Sequence, residues 1–212
     1  MSELYQKIPG LYMREEHKPF NLIEGVYREP ELELLKDIEW TFTEKVDGTN
    51  IRIVWDGHNV VFGGRTENAQ IPSHLVTKLN ELFMGTRMEQ VFEQVFGGSK
   101  AILFGEGYGA KIQKGGGNYS ETQKFVLFDV KVEEWYLRRE DVEDVASKFG
   151  LDVVPIVAKG TLQKGVGIVK AGLKSQWGNF IAEGLVAKPS VDLFNRKGER
   201  ILTKIKTEDF TI

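Results

Sequence analysis

Charged side chains stand at the ends of several apolar, strand-like segments of this sequence. Lys45 and Asp47 follow the first such segment, Glu106 follows "AILFG", and Glu183 opens "EGLVAK". In "TKIKT" two lysines alternate with other residues, and because a strand has a period of two they must project from one face. Two ammonium groups side by side favour an anion, so the pattern indicates a phosphate-bearing ligand.

These residue types suit nucleotide chemistry if the strands line one cleft. A lysine such as Lys45 is a nucleophile as the free amine, a form that neighbouring cations such as Lys204 and Lys206 favour. The same two cations would bind phosphate oxygens and stabilise the charge of a phosphoryl-transfer transition state. The carboxylates would contact ribose hydroxyls or Mg²⁺, and Phe128 would stack on a base.

Each of these residues also has an ordinary explanation when it is taken alone. A lysine at a strand end is commonly a solvated edge charge, and a buried glutamate is commonly just ion-paired. No Gly-x-x-x-x-Gly-Lys-Ser/Thr phosphate loop is present, and "GEGYG" matches the dinucleotide fingerprint only in part. The functional interpretation therefore depends on the whole ordered set.

The segments that must position these residues predict an α+β fold. Ile51, Ile53 and Trp55 share one face of an alternating run that turns at "DGHN" and resumes at Val60, which predicts a hairpin. Short β-rich runs follow in "AILFGE", "KFVLFDV", "LDVVPIV", "EGLVAKP" and "RILTKIKT". We expect these runs to form mainly antiparallel sheets.

Two helices and two loops are predicted between the strands. The run "TRMEQVFEQVFGG" has helical apolar spacing, with Thr86 as N-cap, Glu89 as its capping-box partner and Gly97 at its end. The run "RREDVEDVASKFG" predicts a second helix that stops at Gly150. The glycine-rich pieces "QKGGGNYS" and "LQKGVG" are interpreted as flexible loops.

The overall composition is that of an ordinary folded chain. Of its 212 residues, 41% are apolar and 28% are charged, and this length favours a single domain. The absence of cysteine excludes thiolate metal sites and a cysteine nucleophile, and the three histidines are scattered. A net charge of -3 gives no global basic field, so nucleic acid would need a local basic surface. Because no signal-peptide core or membrane-length apolar run is present, we expect a cytoplasmic protein without a membrane partner.

The ordered motifs resemble those of the covalent nucleotidyltransferases, the superfamily of polynucleotide ligases and mRNA capping enzymes. The segments "EKVDG", "FGEGYG", "KFVLFDV", "EGLVAKP" and "TKIKT" are similar to motifs I, III, IIIa, IV and V, over residues 40–207. The stretch "WTFTEKVDGTN" looks most like the phage-type RNA ligases that seal nicks in double-stranded RNA. This resemblance implies an α+β nucleotidyltransferase domain, ATP-grasp-like in its ligase catalytic part, with mainly antiparallel sheets flanking a nucleotide cleft.

The resemblance also implies the catalytic roles. Lys45 would attack the α-phosphate of ATP, expel pyrophosphate and carry AMP covalently, before the AMP passes to an RNA 5′-phosphate and a 3′-hydroxyl displaces it. Lys204 and Lys206 would contact the α-phosphate. Glu183 and Asp47 would hold Mg²⁺ or Mn²⁺, directly or through its waters.

Other matching positions would bind the nucleotide. By resemblance, Glu44 would hydrogen-bond the adenine amine, Arg65 would touch the ribose and the RNA phosphate, Glu106 would bind a ribose hydroxyl, and Phe128 would stack on adenine. Two further positions complete the set. Asn50 would help to orient the phosphate or the 3′-hydroxyl, and Lys188 is either a nucleotide contact or a surface charge.

The resemblance implies a single nucleotidyltransferase domain, placed at residues 1–212 with its motif-bearing part at about 40–207, and no C-terminal OB-fold or helical accessory domain after motif V. We therefore expect a catalytic core that acts as a monomer or with a partner protein that replaces the accessory domain. The implied substrate is nicked duplex RNA or broken structured RNA, and a phage-encoded origin fits the subfamily. A DNA ligase, a capping-type guanylyltransferase and a non-catalytic nucleic-acid-binding relative stay open as alternatives.

Overall fold

The computed structural model describes residues 4–210, which divide into two compact units. The first unit contains the described residues up to Tyr5 together with Asp47–Val154, and the second contains Gln6–Val46 together with the described residues from Pro155 onwards. The single nucleotidyltransferase domain expected from the sequence stays a prediction. None of the helices in the described part of the chain has the length and apolar character that crossing a bilayer requires.

Strands and helices alternate irregularly along the chain. The strands and α-helices of residues 4–210 are, in order, β1 (Tyr12–Arg14), β2 (Leu22–Tyr27), α1 (Pro30–Leu34), β3 (Trp40–Lys45), β4 (Thr49–Trp55), β5 (Val60–Gly63), α2 (Ser73–Phe83), α3 (Thr86–Phe96), β6 (Ala101–Tyr108), α4 (Gly116–Tyr119), β7 (Lys124–Val132), β8 (Trp135–Tyr136), α5 (Arg139–Phe149), β9 (Asp152–Val153), β10 (Ile156–Gly160), α6 (Leu162–Lys170), β11 (Gly184–Pro189) and β12 (Thr203–Lys206). A short 3-10 helix follows at Thr207–Asp209.

The first unit is built on a sheet with the strand order β5-β4-β6-β7-β8, to which β9 adds in parallel beside β7. All its other pairings are antiparallel, so the fold class and the mainly antiparallel sheets are confirmed. Ile51, Ile53 and Trp55 are fully buried on one face, where α2, α3 and α5 cover them. The hairpin predicted from their alternation is therefore present as β4 and β5.

The second unit is built on a sheet with the strand order β10-β3-β11-β12, all antiparallel. Trp40 and Phe42 of β3 are buried with Leu185 and Ile205 beneath α6. Because side chains alternate along a strand, the intervening residues of β3, β11 and β12 project from the opposite face. The core of this unit thus fixes which side chains face away from it.

The segment "LQKGVG" is helical, so its interpretation as a flexible loop is wrong. It begins α6, where the Thr161 hydroxyl caps the helix by accepting a hydrogen bond from the Lys164 N–H at 3.3 Å. A Cβ on Gly165 would lie 2.5 Å from the Phe42 ring. Glycine is present here because the helix packs closely on the sheet, not because the chain is flexible.

The predicted ends of the other helices are partly correct. Gly97 and Gly150 end α3 and α5 as expected. Thr86 is not the N-cap of α3, because it is already helical and the cap is Gly85, which has a φ of 95° and offers no side chain for a capping hydrogen bond. The segment "QKGGGNYS" is also not a plain loop, since it contains α4 and the buried Tyr119.

Candidate active site

The sheet of the second unit carries four of the predicted site lysines on the face opposite its core. Lys45 ends β3, Lys188 lies on β11, and Lys204 and Lys206 lie on β12, all of them half-buried. In the strand register, Gly184 of β11 lies opposite Lys45 on one side and Lys206 on the other. The shared face predicted for Lys204 and Lys206 is therefore confirmed, and it includes Lys45.

Gly184 lies between the two lysines of this row, where the backbone of β12 approaches it closely. Its φ of 152° lies in a region that other residues rarely adopt, and a Cβ there would lie 2.1 Å from the carbonyl oxygen of Ile205. No larger residue fits without moving β12. Glycine is therefore present here because β12 packs closely against the start of β11.

Lys45 forms an ion pair with Glu183, the residue before β11. Its Nζ donates to Oε2 of Glu183 at 2.6 Å, and the two side chains are 24% and 23% exposed. The carbonyl of Glu183 accepts a hydrogen bond from the Thr207 N–H at 2.9 Å, which anchors the residue to the end of β12. The sequence predicts cationic neighbours for Lys45, and the structure also places a carboxylate in direct contact with it.

Lys206 is held in a similar way by Glu208. Its Nζ donates to Oε1 of Glu208 at 2.7 Å, and this hydrogen bond raises the pKa of Lys206 while it lowers the pKa of Glu208. Glu208 is mostly exposed and sits in the short 3-10 helix. Lys206 is therefore a firmly protonated cation beside Gly184, as a phosphate ligand requires.

Glu44 points to the core face, away from the lysines. Its carboxylate is buried and accepts hydrogen bonds from the Ser175 hydroxyl at 2.6 Å and from the Gln176 N–H at 2.7 Å. Burial raises the pKa of this carboxyl, against the effect of the two hydrogen bonds. The adenine contact predicted for Glu44 stays a prediction, and both carboxylate oxygens already bind the segment that precedes β11.

In the first unit, Asn50 and Glu106 lie directly opposite each other on β4 and β6. Both are half-buried and project from the face that the helices leave open. Phe128 belongs to a bulge of β7, and its half-buried ring packs against Tyr5 with ring centroids 5.0 Å apart. Phe125, the other aromatic residue in this strand, is buried in the core. Of the two, Phe128 is the more exposed ring.

Two remaining predicted positions lie in loops of the first unit. The Asp47 N–H donates to the Tyr119 hydroxyl at 3.3 Å, beside α4. Arg65 is exposed just after β5.

Arg52 is a buried cation that the sequence reasoning missed, on the same face as Asn50. Its guanidinium donates twice to Glu67, at 3.2 and 2.9 Å, and so fixes the loop that carries Arg65. The sequence contains a signal for this ion pair, because a charged residue inside the apolar run "IRIVW" becomes buried in the strand and then needs a partner of opposite charge.

The described residues contain no group of three or more acidic or histidine side chains that could hold a metal ion. Mg²⁺ is commonly held by one or two carboxylates, with waters and substrate phosphates completing its ligands. The partly exposed carboxylate of Glu183 suits such an open site, whereas a dedicated protein cage does not fit these residues. The predicted ligand roles of Glu183 and Asp47 stay predictions.

Comparison of this chain with models of known protein families identifies its family. The model of the RNA ligase family matches residues 38–206, so the chain belongs to the RNA ligase family. This match includes β3, β11 and β12 and every predicted site residue. A comparison with curated proteins gives no significant match.

Solved structures of the Naegleria gruberi RNA ligase are similar to this chain. A mutant with ATP and Mn has a TM-score of 0.65 at 18% identity, covering 85% of this chain and 53% of that one. The ligase with PPi has a TM-score of 0.65 at 20% identity, with the same coverage. Another mutant with ATP and Mn has a TM-score of 0.66 at 18% identity, covering 98% of this chain and 61% of that one. The likeness shows the fold, and the chain spans little more than half the length of these relatives.

Proposed function

We propose that the chain is an ATP-dependent RNA ligase that works through AMP bound covalently to Lys45. The observation that carries the proposal is the row of Lys45, Gly184 and Lys206 with Glu183 in contact with the first lysine. Membership of the RNA ligase family supports the reaction class. The similar Naegleria structures hold ATP and Mn, which supports the choice of nucleotide and metal.

In the first step, the Nζ of Lys45 leaves its hydrogen bond to Glu183 and attacks the α-phosphorus of ATP as the free amine. Lys45 first gives its ammonium proton to solvent; the P–N bond then forms, the P–O bond to pyrophosphate breaks, and the proton displaced from the attacking nitrogen also passes to solvent. Lys206 and Lys204 stabilise the negative charge that spreads over the phosphate oxygens. The α-phosphate is proposed to lie near Lys45 and Lys206, the two residues that flank Gly184 in the strand register.

In the second step, an RNA 5′-phosphate oxygen attacks the same phosphorus, the P–N bond breaks, and the Lys45 nitrogen takes up a proton from solvent and leaves as an amine. In the third step, a 3′-hydroxyl attacks the RNA phosphate and AMP departs, which closes the strand. Both steps develop charge on phosphate oxygens, so the lysines of the second unit stabilise them as they do the first. Lys188, on the same face but further along β11, is proposed to meet the RNA or the nucleotide.

The first unit offers groups suited to the nucleoside. Glu106 and Asn50 present neighbouring polar groups that would bind ribose hydroxyls or a phosphate, and Phe128 presents a half-buried ring for stacking on adenine. Arg65, at the end of a loop pinned by Arg52, is proposed to reach ribose or RNA phosphate. A divalent cation, when bound, would neutralise phosphate charge, with Glu183 as a ligand.

A sealing assay tests this function. RNA strands with 5′-phosphate and 3′-hydroxyl ends, annealed as a nicked duplex, should be joined in the presence of ATP and Mg²⁺ or Mn²⁺. Nicked DNA and GTP are the competing substrate and nucleotide. Preferential joining of nicked DNA would indicate a DNA ligase, transfer of GMP to an RNA end would indicate a capping enzyme, and RNA binding without either reaction would indicate a non-catalytic relative.

A further inference from the structure

A depression of about 810 Å³ lies in the second unit beside the catalytic lysines. Lys204 and Lys206 line it, together with residues of the N-terminal segment before β3 and of the turn before β12. The N-terminal part precedes the region that the family model matches, which begins at residue 38. None of its other cations belongs to the predicted site.

Backbone hydrogen bonds build the walls of this depression. The N-terminal segment runs alongside β12, with the Leu11 N–H donating to the Lys204 carbonyl at 3.1 Å and the Lys204 N–H to the Pro9 carbonyl at 3.0 Å. The side-chain amide of Gln6 pairs with the backbone of Arg200 in both directions, at 2.6 and 3.2 Å. These contacts use backbone groups and the neutral side chain of Gln6, so they hold the walls without using the exposed cations.

The lining has an excess of positive charge. It contains eight lysine and arginine residues against four acidic residues, in a chain whose net charge is -3. Four of the cations, Lys7, Arg28, Arg196 and Lys197, are exposed and form no ion pair with any residue that the structure describes. Cations that lie close together repel one another, and a bound anion with several negative charges would relieve this repulsion.

The residue types in the lining favour one kind of polyanion, a nucleic-acid duplex, over a single strand. Single-stranded nucleic acid binders combine a basic groove with aromatic side chains on which bases stack. No aromatic residue lines the described part of this depression. A surface that offers cations without stacking planes suits the backbone of a duplex, whose bases are already stacked inside.

We propose that this basic depression binds the sugar-phosphate backbone of double-stranded RNA next to the strand end that reacts at Lys45. The inference rests on the proposed ligase function, and Lys204 and Lys206 connect the two because they line the depression and lie on the catalytic face. The cations of the N-terminal segment and of the turn before β12 then bind the phosphates of the RNA substrate. The contact is with phosphates, so it has no base preference.

The test uses the whole chain with a groove variant that removes three exposed cations: Arg28→Ala, Arg196→Ala and Lys197→Ala. A matched control removes two arginines and one lysine from exposed positions of the first unit's helical surface: Arg87→Ala, Arg138→Ala and Lys148→Ala. A charge-retaining variant, Arg28→Lys with Arg196→Lys and Lys197→Arg, separates loss of charge from loss of fold. Affinity for a nicked duplex RNA is measured over a range of salt concentrations, with single-stranded RNA as the comparison.

The groove variant should bind the duplex roughly tenfold or more weakly at low salt, with a salt dependence lower by about two to three counterions. Labelling of the protein by ATP should continue, and the control and the charge-retaining variants should bind like the wild type. Unchanged duplex affinity and salt dependence in the groove variant would overturn the inference, as would an equal loss of single-strand binding. A wild-type chain that ATP does not label would instead overturn the proposed ligase function, so the two failures are distinguishable.

Discussion

Lys45 and Glu183 lie 138 positions apart in the sequence, yet their side chains are joined by a hydrogen bond of 2.6 Å. The pairing follows from the sheet register, which places the start of β11 beside the end of β3. It gives Glu183 two successive partners in the proposed reaction: the amine before attack, and a divalent cation with the substrate. In the proposed reaction, this hydrogen bond orients Lys45 before ATP binds and must break before Lys45 attacks.

Replacing Glu183 by Gln should slow the formation of Lys45-AMP by about tenfold to 100-fold, the usual effect of losing a group that supports a metal site. The variant keeps the shape of the side chain but loses its charge, so more Mg²⁺ or Mn²⁺ should be needed for half-maximal rate. Initial rates of protein labelling across a metal titration measure both effects. An unchanged rate and metal requirement would mean that Glu183 serves only to orient Lys45.

Replacing Lys206 by Ala should lower the rate of self-adenylylation by about 10²–10³, the cost of removing one well-placed stabiliser of transition-state charge. The matched control is Glu208→Gln, which removes the negative charge of the exposed partner of Lys206 but leaves the lysine in place. That control should stay close to the wild-type rate in the same labelling assay. If both variants were equally slow, the ion pair rather than the phosphate contact would explain the loss.

The buried Glu44 should make stability depend on pH. An isolated glutamate titrates near 4.5, and burial raises the pKa of Glu44 in the folded chain, so the folded state binds the proton more tightly than the unfolded state. The contribution of Glu44 to the free energy of unfolding therefore falls as pH rises from about 4.5 through the raised value. Chemical unfolding at several pH values should show the advantage of the wild type over Glu44→Gln shrinking in this window. A difference that grows with pH would contradict the assignment.

Two glycines of α6 offer a test of the close packing beneath the catalytic sheet. Gly165→Ala should lower the free energy of unfolding by about 1–3 kcal/mol, because the new Cβ would press on the Phe42 ring. Gly167→Ala, two residues further along the same helix, has open space and should raise it by about 0.5–1 kcal/mol through helix propensity. Denaturant unfolding of both variants measures the sign. Equal effects would show that the two positions do not differ in packing.

Local patterns in the sequence were sufficient for much of the fold. The alternation of Ile51, Ile53 and Trp55 identified a buried strand face, and Gly97 and Gly150 marked helix ends, because these signals depend only on near neighbours. The helix that begins with "LQKGVG" was missed because Gly165 is required by a contact with Phe42, more than a hundred positions away. A glycine chosen for close packing looks the same in the sequence as one chosen for flexibility.

The same limit applies to the candidate site. The period of two placed Lys204 and Lys206 on one face, but it could not show that Gly184 lies between Lys45 and Lys206 or that Glu183 contacts the nucleophile. It also could not show that Glu44 is turned towards the core, because a strand residue's face depends on which side the rest of the chain covers. These relationships arise from strand pairing between distant segments.

The central claim, that Lys45 carries AMP, is tested most directly by incubating the chain with ATP labelled at the α-phosphate and a divalent metal, followed by peptide mapping. The account predicts one acid-labile, phosphoramidate-linked AMP on the peptide that contains Lys45, and no labelling of Lys45→Ala, whose fold is checked by its unfolding midpoint. A folded wild-type protein that acquires no label, or a label that persists in Lys45→Ala, would contradict it.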